Sequence, residues 1–226
     1  MGVFFALSII AVWAGHLFYA LERVAVDYSS PLFYLHILLQ TYFFTGLFIT
    51  GHDSMHGTVS RKSLLNKSIG FFSVFLYAGM WYPRLLSNHH LHHKFPGTNQ
   101  DPDYSSRSQN YWVWYGKFMF KYLTIIQLVI MAVLYNVLRI WYADSSLIWF
   151  WVVPAVLSTF QLFYFGTYLP HKRPHTDEME PHNARTLKKN HIWAMLSCYF
   201  FGYHHEHHTS PGIPWWKLYK AKSARP

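Results

Sequence analysis

Four long stretches without an acidic or basic side chain bound what this chain can fold into: Val3–Leu21, Leu32–Thr50, Tyr122–Leu138 and Leu147–Pro170. Each approaches the roughly 20 residues that an α-helix needs to cross a hydrocarbon layer about 30 Å thick. Lipid offers no partner to backbone N–H and C=O groups, so a spanning segment has to satisfy them internally, as a helix does. Charged residues make up 13% of the chain, half the roughly 25% of an ordinary soluble domain. The first stretch lacks both a basic leader and a small-residue cleavage site, and is read as a retained helix. Ile69–Pro83 and Ile192–Tyr203 are apolar but too short to cross, and suit helices lying at the interface or packed on the others. There is no repeat or low-complexity tract. The expectation is an all-α integral membrane protein with four transmembrane helices over about 3–21, 32–50, 118–141 and 147–169. Interfacial helices and a cytoplasmic histidine-rich cap complete a single domain, 1–226.

The net charge of +9 raises the question of an acidic partner, and the placement of the charges answers it. With the N-terminus in the cytoplasm and the four helices alternating, eight Lys/Arg lie between Arg61 and Lys121 and nine between Lys172 and Arg225. Only Arg23 and Arg139 fall on the far side. The basic excess is therefore a topology signal, both termini lie in the cytoplasm, and no basic helix or motif points to nucleic acid. The basic tail, with Lys217, Lys220, Lys222 and Arg225, also suits anionic lipid or an acidic electron donor. Cys198 is the only cysteine, which excludes an intramolecular disulfide and any zinc site built on several thiolates.

Against this apolar background stand 16 histidines. In "GHDSMHG", His52 and His56 are four residues apart at the cytoplasmic end of the second span, on one helical face. "NHHLHH" places His89, His92 and His93 on one face and turns His90 away. "YHHEHH" repeats the pattern with His204, His207 and His208, leaving His205 aside. His171 emerges at the cytoplasmic end of the fourth span. All nine fall on the same side of the membrane, too many for one four- or six-coordinate ion and suited to two. Zinc, copper, iron and nickel all accept imidazole, so ligand type does not choose the metal. "HHEHHT" lacks the second histidine of a zinc-protease motif, and the histidines inside the spans, His16 and His36, lie away from the clusters, where a haem would not join them. Two irons with positions open to dioxygen are the most economical reading. His16, His36, His182 and His191 are read as structural. A transporter would place ionisable groups along a path near the bilayer midplane, and the four spans carry no carboxylate.

"HDSMH", "HHLHH" and "HHEHH" resemble the three histidine boxes of the membrane-bound fatty-acid desaturase and hydroxylase superfamily. "TGLFITGHDSMHG", "HHLHHKFPGTNQDPDY", "FQLFYFGTYLPHKRPH" and "FGYHHEHHTSPGIPWWKLY" resemble, within it, the bacterial and cyanobacterial β-carotene ketolases, from about residue 45 to the end. The resemblance implies a non-haem di-iron oxygenase in an inner or thylakoid membrane, with its active site facing the cytoplasm. His52, His56, His89, His92, His93, His171, His204, His207 and His208 would hold the two irons. Thr167 occupies the place where some desaturases supply an asparagine. It further implies O2 as oxidant and electrons from ferredoxin or a similar donor. The substrate would be β-carotene, taken through echinenone to canthaxanthin, with 3-hydroxylated rings leading to astaxanthin. The relatives a ring hydroxylase, a fatty-acyl desaturase and an alkane hydroxylase share the boxes. Asp53, Asp101 and Asp103 lie beside the boxes and are candidates to accept the second N–H of ligand imidazoles. Phe165, Leu169 and Pro170, near the metal end of the fourth span, are candidates to line the substrate pocket. Trp81, Tyr82, Trp112, Trp114, Tyr115, Trp215 and Trp216 sit near expected interfaces, where aromatic belts form in any case, and a rod-like polyene would also favour an aromatic groove leading to the metals.

Overall fold

The computed structural model describes residues 1–188 and 190–223, so Arg225 of the basic tail lies outside the described residues. All regular structure among them is helical. Helix α1 (Gly2–Arg23) and α2 (Pro31–Met55) form the first hairpin. Pro31 opens α2 at a position where its missing N–H costs nothing, and the helix runs on past the apolar stretch to carry His52. α3 (Ser63–Ala78) packs along α2 at close range. A Cβ on Gly70 would stand 1.8 Å from Ser54 Oγ, and one on Gly51 would stand 2.3 Å from Val74 Cγ1, so two glycines set this approach. α4 (Tyr82–Lys94) follows and carries the second histidine box.

The stretch expected to span over 118–141 is two helices, α5 (Tyr111–Tyr122) and α6 (Ile125–Leu138), bent by 83° where they meet. Thr124 explains the break. Its backbone is extended, and its side chain accepts a hydrogen bond from Gln127 N at 3.1 Å, capping a new helix. The pattern Thr-x-x-Gln is a helix-start signal present in the sequence inside an otherwise uniform apolar run. Three helices are thus individually long and apolar enough to cross a membrane: α1, α2 and α7 (Asp144–His171).

α7 is continuous but not uniform. Two π-turns, Ile148–Val152 and Tyr164–Tyr168, each precede a proline, Pro154 and Pro170. A proline in a helix clashes with the carbonyl four residues back and deprives it of a donor; widening the preceding turn relieves both effects. The second π-turn is closed by Leu169 N donating to Tyr164 O, five residues back. Short helices α8 (His191–Cys198), α9 (His204–Thr209) and α10 (Leu218–Ser223) complete the chain. The main core joins Leu17 and Ala20 of α1, Phe44 and Leu47 of α2, Phe150 and Leu162 of α7, and Phe201 and Trp215 from the C-terminal segment. That packing draws the C-terminal end of α2 and of α7 toward α9, and so gathers the histidines.

Candidate metal centre

The nine histidines at the predicted positions form two groups. His52, His56, His89, His93 and His207 make one; His92, His171, His204 and His208 make the other. Within each group one ring nitrogen per residue lies within 4.8 Å of all the others. The boxes do not map one to one onto the groups: α4 sends His89 and His93 to the first and His92 to the second, while α9 sends His207 to the first and His204 and His208 to the second.

The ring nitrogens converge as lone pairs around a cation would. His89 Nε2 lies 2.6 Å from His56 Nε2, and His93 Nε2 lies 3.0 Å from His207 Nε2. His208 Nε2 is 3.1 Å from both His92 Nε2 and His204 Nε2. One ring nitrogen cannot serve two such neighbours as a neutral donor and acceptor at once. Two outer nitrogens of the second group are bound elsewhere, while His204 Nδ1 and His208 Nδ1 are buried without a partner among the described residues. His171 Nδ1 donates to Asn183 O at 2.9 Å, and His92 Nδ1 donates to the Asp101 carboxylate at 3.0 Å from both oxygens. A carboxylate or carbonyl accepts only, so the inner Nε2 of each keeps its lone pair. His52 Nε2 and His171 Nε2 are buried with no hydrogen-bond partner. Orphaned buried nitrogens are rare, and here they point to cations as the missing partners. The donor set fits a first-row transition metal.

Electrostatics agree. Burial pushes the imidazoles of His89, His204, His207 and His208 well below their ordinary pKa, and crowding with other imidazoles adds to it. His56 is lowered to about 4 by the same burial. Neutral imidazole is the form that ligates a metal. His92 is the exception: burial lowers it, but the charge and hydrogen bond of Asp101 outweigh that and raise it.

The three acidic candidates take different positions. Asp101 contacts a group histidine directly, and its carboxylate also accepts Gly97 N at 2.9 Å and Asp103 N at 2.8 Å. Asp103 Oδ2 stands 4.0 Å from His92 Nδ1, beyond hydrogen-bonding range, while Oδ1 accepts the Tyr122 hydroxyl. Asp53 lies 3.8 Å from its neighbour His52 and instead accepts Trp215 N at 3.1 Å, tying the "PWW" segment to α2.

An apolar cavity of about 350 Å³ opens onto both groups, with His52 and His89 of the first and His92 and His204 of the second in its wall. α7 contributes Ala155, Thr159, Leu162, Gly166 and Thr167, and α5 and α6 contribute Tyr115, Phe118, Tyr122 and Met131. Phe165, Leu169 and Pro170 of the same helix are not in the wall. Pro170 would follow Gly166 in an unbroken α-helix; the π-turn spends five residues on that turn and brings His171 round instead. Of the aromatic candidates, Tyr115 lines the cavity, Trp81 and Trp112 are exposed, and Trp114 is fully buried, donating to Asp103 O at 2.7 Å.

The other histidines lie outside both groups. His16 Nε2 pairs with His36 Nδ1 at 3.0 Å on the first hairpin, His191 pairs with the Tyr203 hydroxyl at 2.9 Å, and His205 turns to Ala184 O. His182 stacks beside His205 and His208. Sequence reasoning did not find Asn183, whose left-handed backbone (φ 46°) aims its carbonyl at His171, nor Phe201, whose ring packs on His52 and His204. Asparagine's tolerance of that conformation was the one available signal for the first; nothing marked the second.

Comparison with known proteins converges on the same chemistry. The fatty acid desaturase family model matches residues 29–135 and 122–225. A β-carotene ketolase of Paracoccus sp. strain PC1 is 39% identical over 181 residues, 79% of this chain and 74% of the relative. A β-carotene ketolase of another Paracoccus sp. is 34% identical over 214 residues, 93% of this chain and 88% of the relative. A zeaxanthin 4-ketolase of Chlamydomonas reinhardtii is 35% identical over 240 residues, 98% of this chain, which spans about half (53%) of that longer protein. The chain belongs to the fatty acid desaturase family, in the branch that holds the β-carotene ketolases.

Proposed function

We infer that the chain is a carotenoid 4-ketolase, a membrane oxidoreductase that converts the allylic ring methylene at carbon 4 to a ketone. The observation that carries this reading is an apolar cavity ending on two histidine groups, in a chain related to ketolases along most of its length. β-Carotene would pass through echinenone to canthaxanthin, and zeaxanthin would lead to astaxanthin. Each turnover consumes O2, two electrons and two protons, placing one oxygen atom on carbon 4 and releasing the other as water. A second turnover at the same carbon gives a geminal diol, which loses water to leave the ketone.

The protein's residues have definite parts in this. His52, His56, His89, His93 and His207 would hold one iron, and His92, His171, His204 and His208 the other. Iron bound there supplies activation of dioxygen for C–H oxidation. Asp101 and the Asn183 carbonyl fix the rotation and tautomer of His92 and His171. The apolar wall admits a ring and part of a polyene while excluding water, with the conjugated chain weakening the C–H bond to be broken. Each histidine group meets the cavity with two of its histidines, so a ring seated there lies against both groups.

The single domain sits in an inner or thylakoid membrane with four crossings, the bent α5–α6 pair being the fourth. Termini and metal groups lie on the cytoplasmic side, where the basic residues concentrate. Electrons come from a ferredoxin-type donor, and the exposed Lys217 and Lys220 suit an acidic partner.

Pigment analysis of a β-carotene-accumulating bacterium expressing the chain tests this. Echinenone and canthaxanthin from the wild type and none from His92→Ala is the expected result. Zeaxanthin in their place would make it a ring hydroxylase, and altered lipid unsaturation with unchanged β-carotene a desaturase.

A further inference from the structure

Asp103 lines the cavity beside the second histidine group without belonging to it, and with His92 and Asp101 it forms a smaller cluster of possible ligand atoms. Its position is fixed from several directions. Trp114 Nε1 donates to its carbonyl at 2.7 Å, its own N–H donates to Asp101 Oδ1 at 2.8 Å, and Tyr122 donates to its Oδ1. Its side chain keeps 14% of its surface open. Oδ2 makes no hydrogen bond among the described residues; His92 Nδ1 is 4.0 Å away and already donates to Asp101. A carboxylate oxygen with free lone pairs, held in place at the wall of a mainly apolar cavity, is an acceptor available to a donor on whatever binds there.

β-Carotene has no donor. A ring carrying a hydroxyl does. Resting on the ketolase reading, we propose that Asp103 Oδ2 is the hydrogen-bond acceptor for a hydroxyl on the bound ionone ring. Two hydroxyls have this chemistry: the 4-hydroxyl left by the first oxidation and the 3-hydroxyl of an already hydroxylated substrate. For the first, the role is positioning. The second oxidation acts on the remaining C–H of carbon 4, so the ring would have to be re-seated with that C–H toward the histidine groups and its hydroxyl turned aside. An acceptor on the wall next to His92 holds that pose. For the second, the role is selection of hydroxylated rings. Tyr122 serves as the buttress that keeps Oδ1 occupied and Oδ2 directed into the cavity.

The test measures binding and product partition separately. Metal-free wild type and Asp103→Ala in lipid nanodiscs are titrated with β-carotene, 4-hydroxy-β-carotene and 3-hydroxy-β-carotene, following tryptophan quenching. Loss of a hydrogen bond to a charged acceptor predicts alcohol binding weakened roughly tenfold or more, with β-carotene binding unchanged. Weakening confined to the 4-hydroxy ligand assigns the positioning role, and weakening confined to the 3-hydroxy ligand assigns selection. Equal binding of all three ligands by both proteins overturns the proposal. In cells making ketone from β-carotene, Asp103→Asn is expected to release 4-hydroxy product at the expense of ketone, and Asp103→Glu to restore part of the ketone. A wild type that makes no 4-oxidised ring defeats the ketolase reading. A wild type that makes ketone, with an Asp103→Asn variant of unchanged alcohol-to-ketone ratio, defeats the positioning role alone.

Discussion

Replacing Asp101 by asparagine changes one atom of a side chain that accepts from three donors. Its two oxygens take His92 Nδ1, Gly97 N and Asp103 N, all at 2.8–3.0 Å. An asparagine has one acceptor oxygen, and its NH2 must face either Gly97 N or Asp103 N, so a buried donor is left opposite another donor. Such an orphan costs about 1–3 kcal/mol. His92 also loses the charge that raises its pKa and holds its lone pair inward. Removing the partner of a ligand imidazole weakens metal binding by about 10- to 100-fold, or roughly 1.4–2.7 kcal/mol. The effect is directional: of the grouped histidines Asp101 hydrogen-bonds only His92, which serves the group with His171, His204 and His208. Asp101→Asn should therefore keep one tightly held metal and lose the other first. Metal analysis after graded chelation, beside thermal melting of the metal-free protein, reads both effects. The expected result is a fall from two tight metals toward one, with melting lowered by about 2–10 °C. Two metals retained with wild-type affinity would refute the reasoning, because His92 would then need no orienting carboxylate.

Gly166→Ala would place a Cβ 2.2 Å from Phe201 Cε1, in the cavity wall beside the metal groups. Overpacking of this kind costs about 1–3 kcal/mol of stability, so melting should fall by roughly 2–12 °C; unchanged melting would show that Phe201 is free to move. Acid should destabilise the metal-free protein. The buried imidazoles have lowered pKa values, so the unfolded chain binds more protons, and stability is complete above about pH 6.5 and lost as pH falls toward 4. His56, lowered to about 4, contributes about 3 kcal/mol of that loss by itself. Melting at pH 7.5 and pH 4.5 checks the sign, and a more stable protein at the lower pH would contradict it.

Much of this was legible in the sequence because two periodicities carried it. Long uncharged runs can only be membrane or deeply buried helices, and they mark α1, α2 and α7 to within a few residues. Histidine spacing identified the nine residues that the two groups contain. What was hidden depends on local backbone events that hydropathy does not register. Thr124 breaks an apolar run whose hydropathy is continuous, because capping is a hydrogen-bond property of one side chain. The π-turn before Pro170 rotates the end of α7, so Phe165, Leu169 and Pro170 stay out of the cavity wall and His171 joins the second histidine group. Chain proximity alone does not say which carboxylate reaches a histidine. Asp53 adjoins a ligand histidine in sequence, yet neighbours on a helix point about 100° apart, and its carboxylate reaches Trp215.

The division of the boxes between two groups follows from the same helical geometry. Residues four apart on an α-helix differ by about 40° in direction, and consecutive residues by about 100°. His52 with His56, His89 with His93, and His204 with His208 are all four-residue pairs, and each pair stays within one group. His92 and His207 are each next in sequence to one member of a pair, and both cross to the other group. α4 and α9 thus exchange one histidine apiece: α4 gives a pair to the first group and a single to the second, and α9 does the reverse. Neither group is then built by one element alone, and each needs α4 and α9 in register. A shift of either helix by one residue would put its histidines about 100° out of place and disrupt both groups together. That coupling gives a physical reason for the stiff surroundings of α4, clamped through Asp101 at one end and Pro83 at the other.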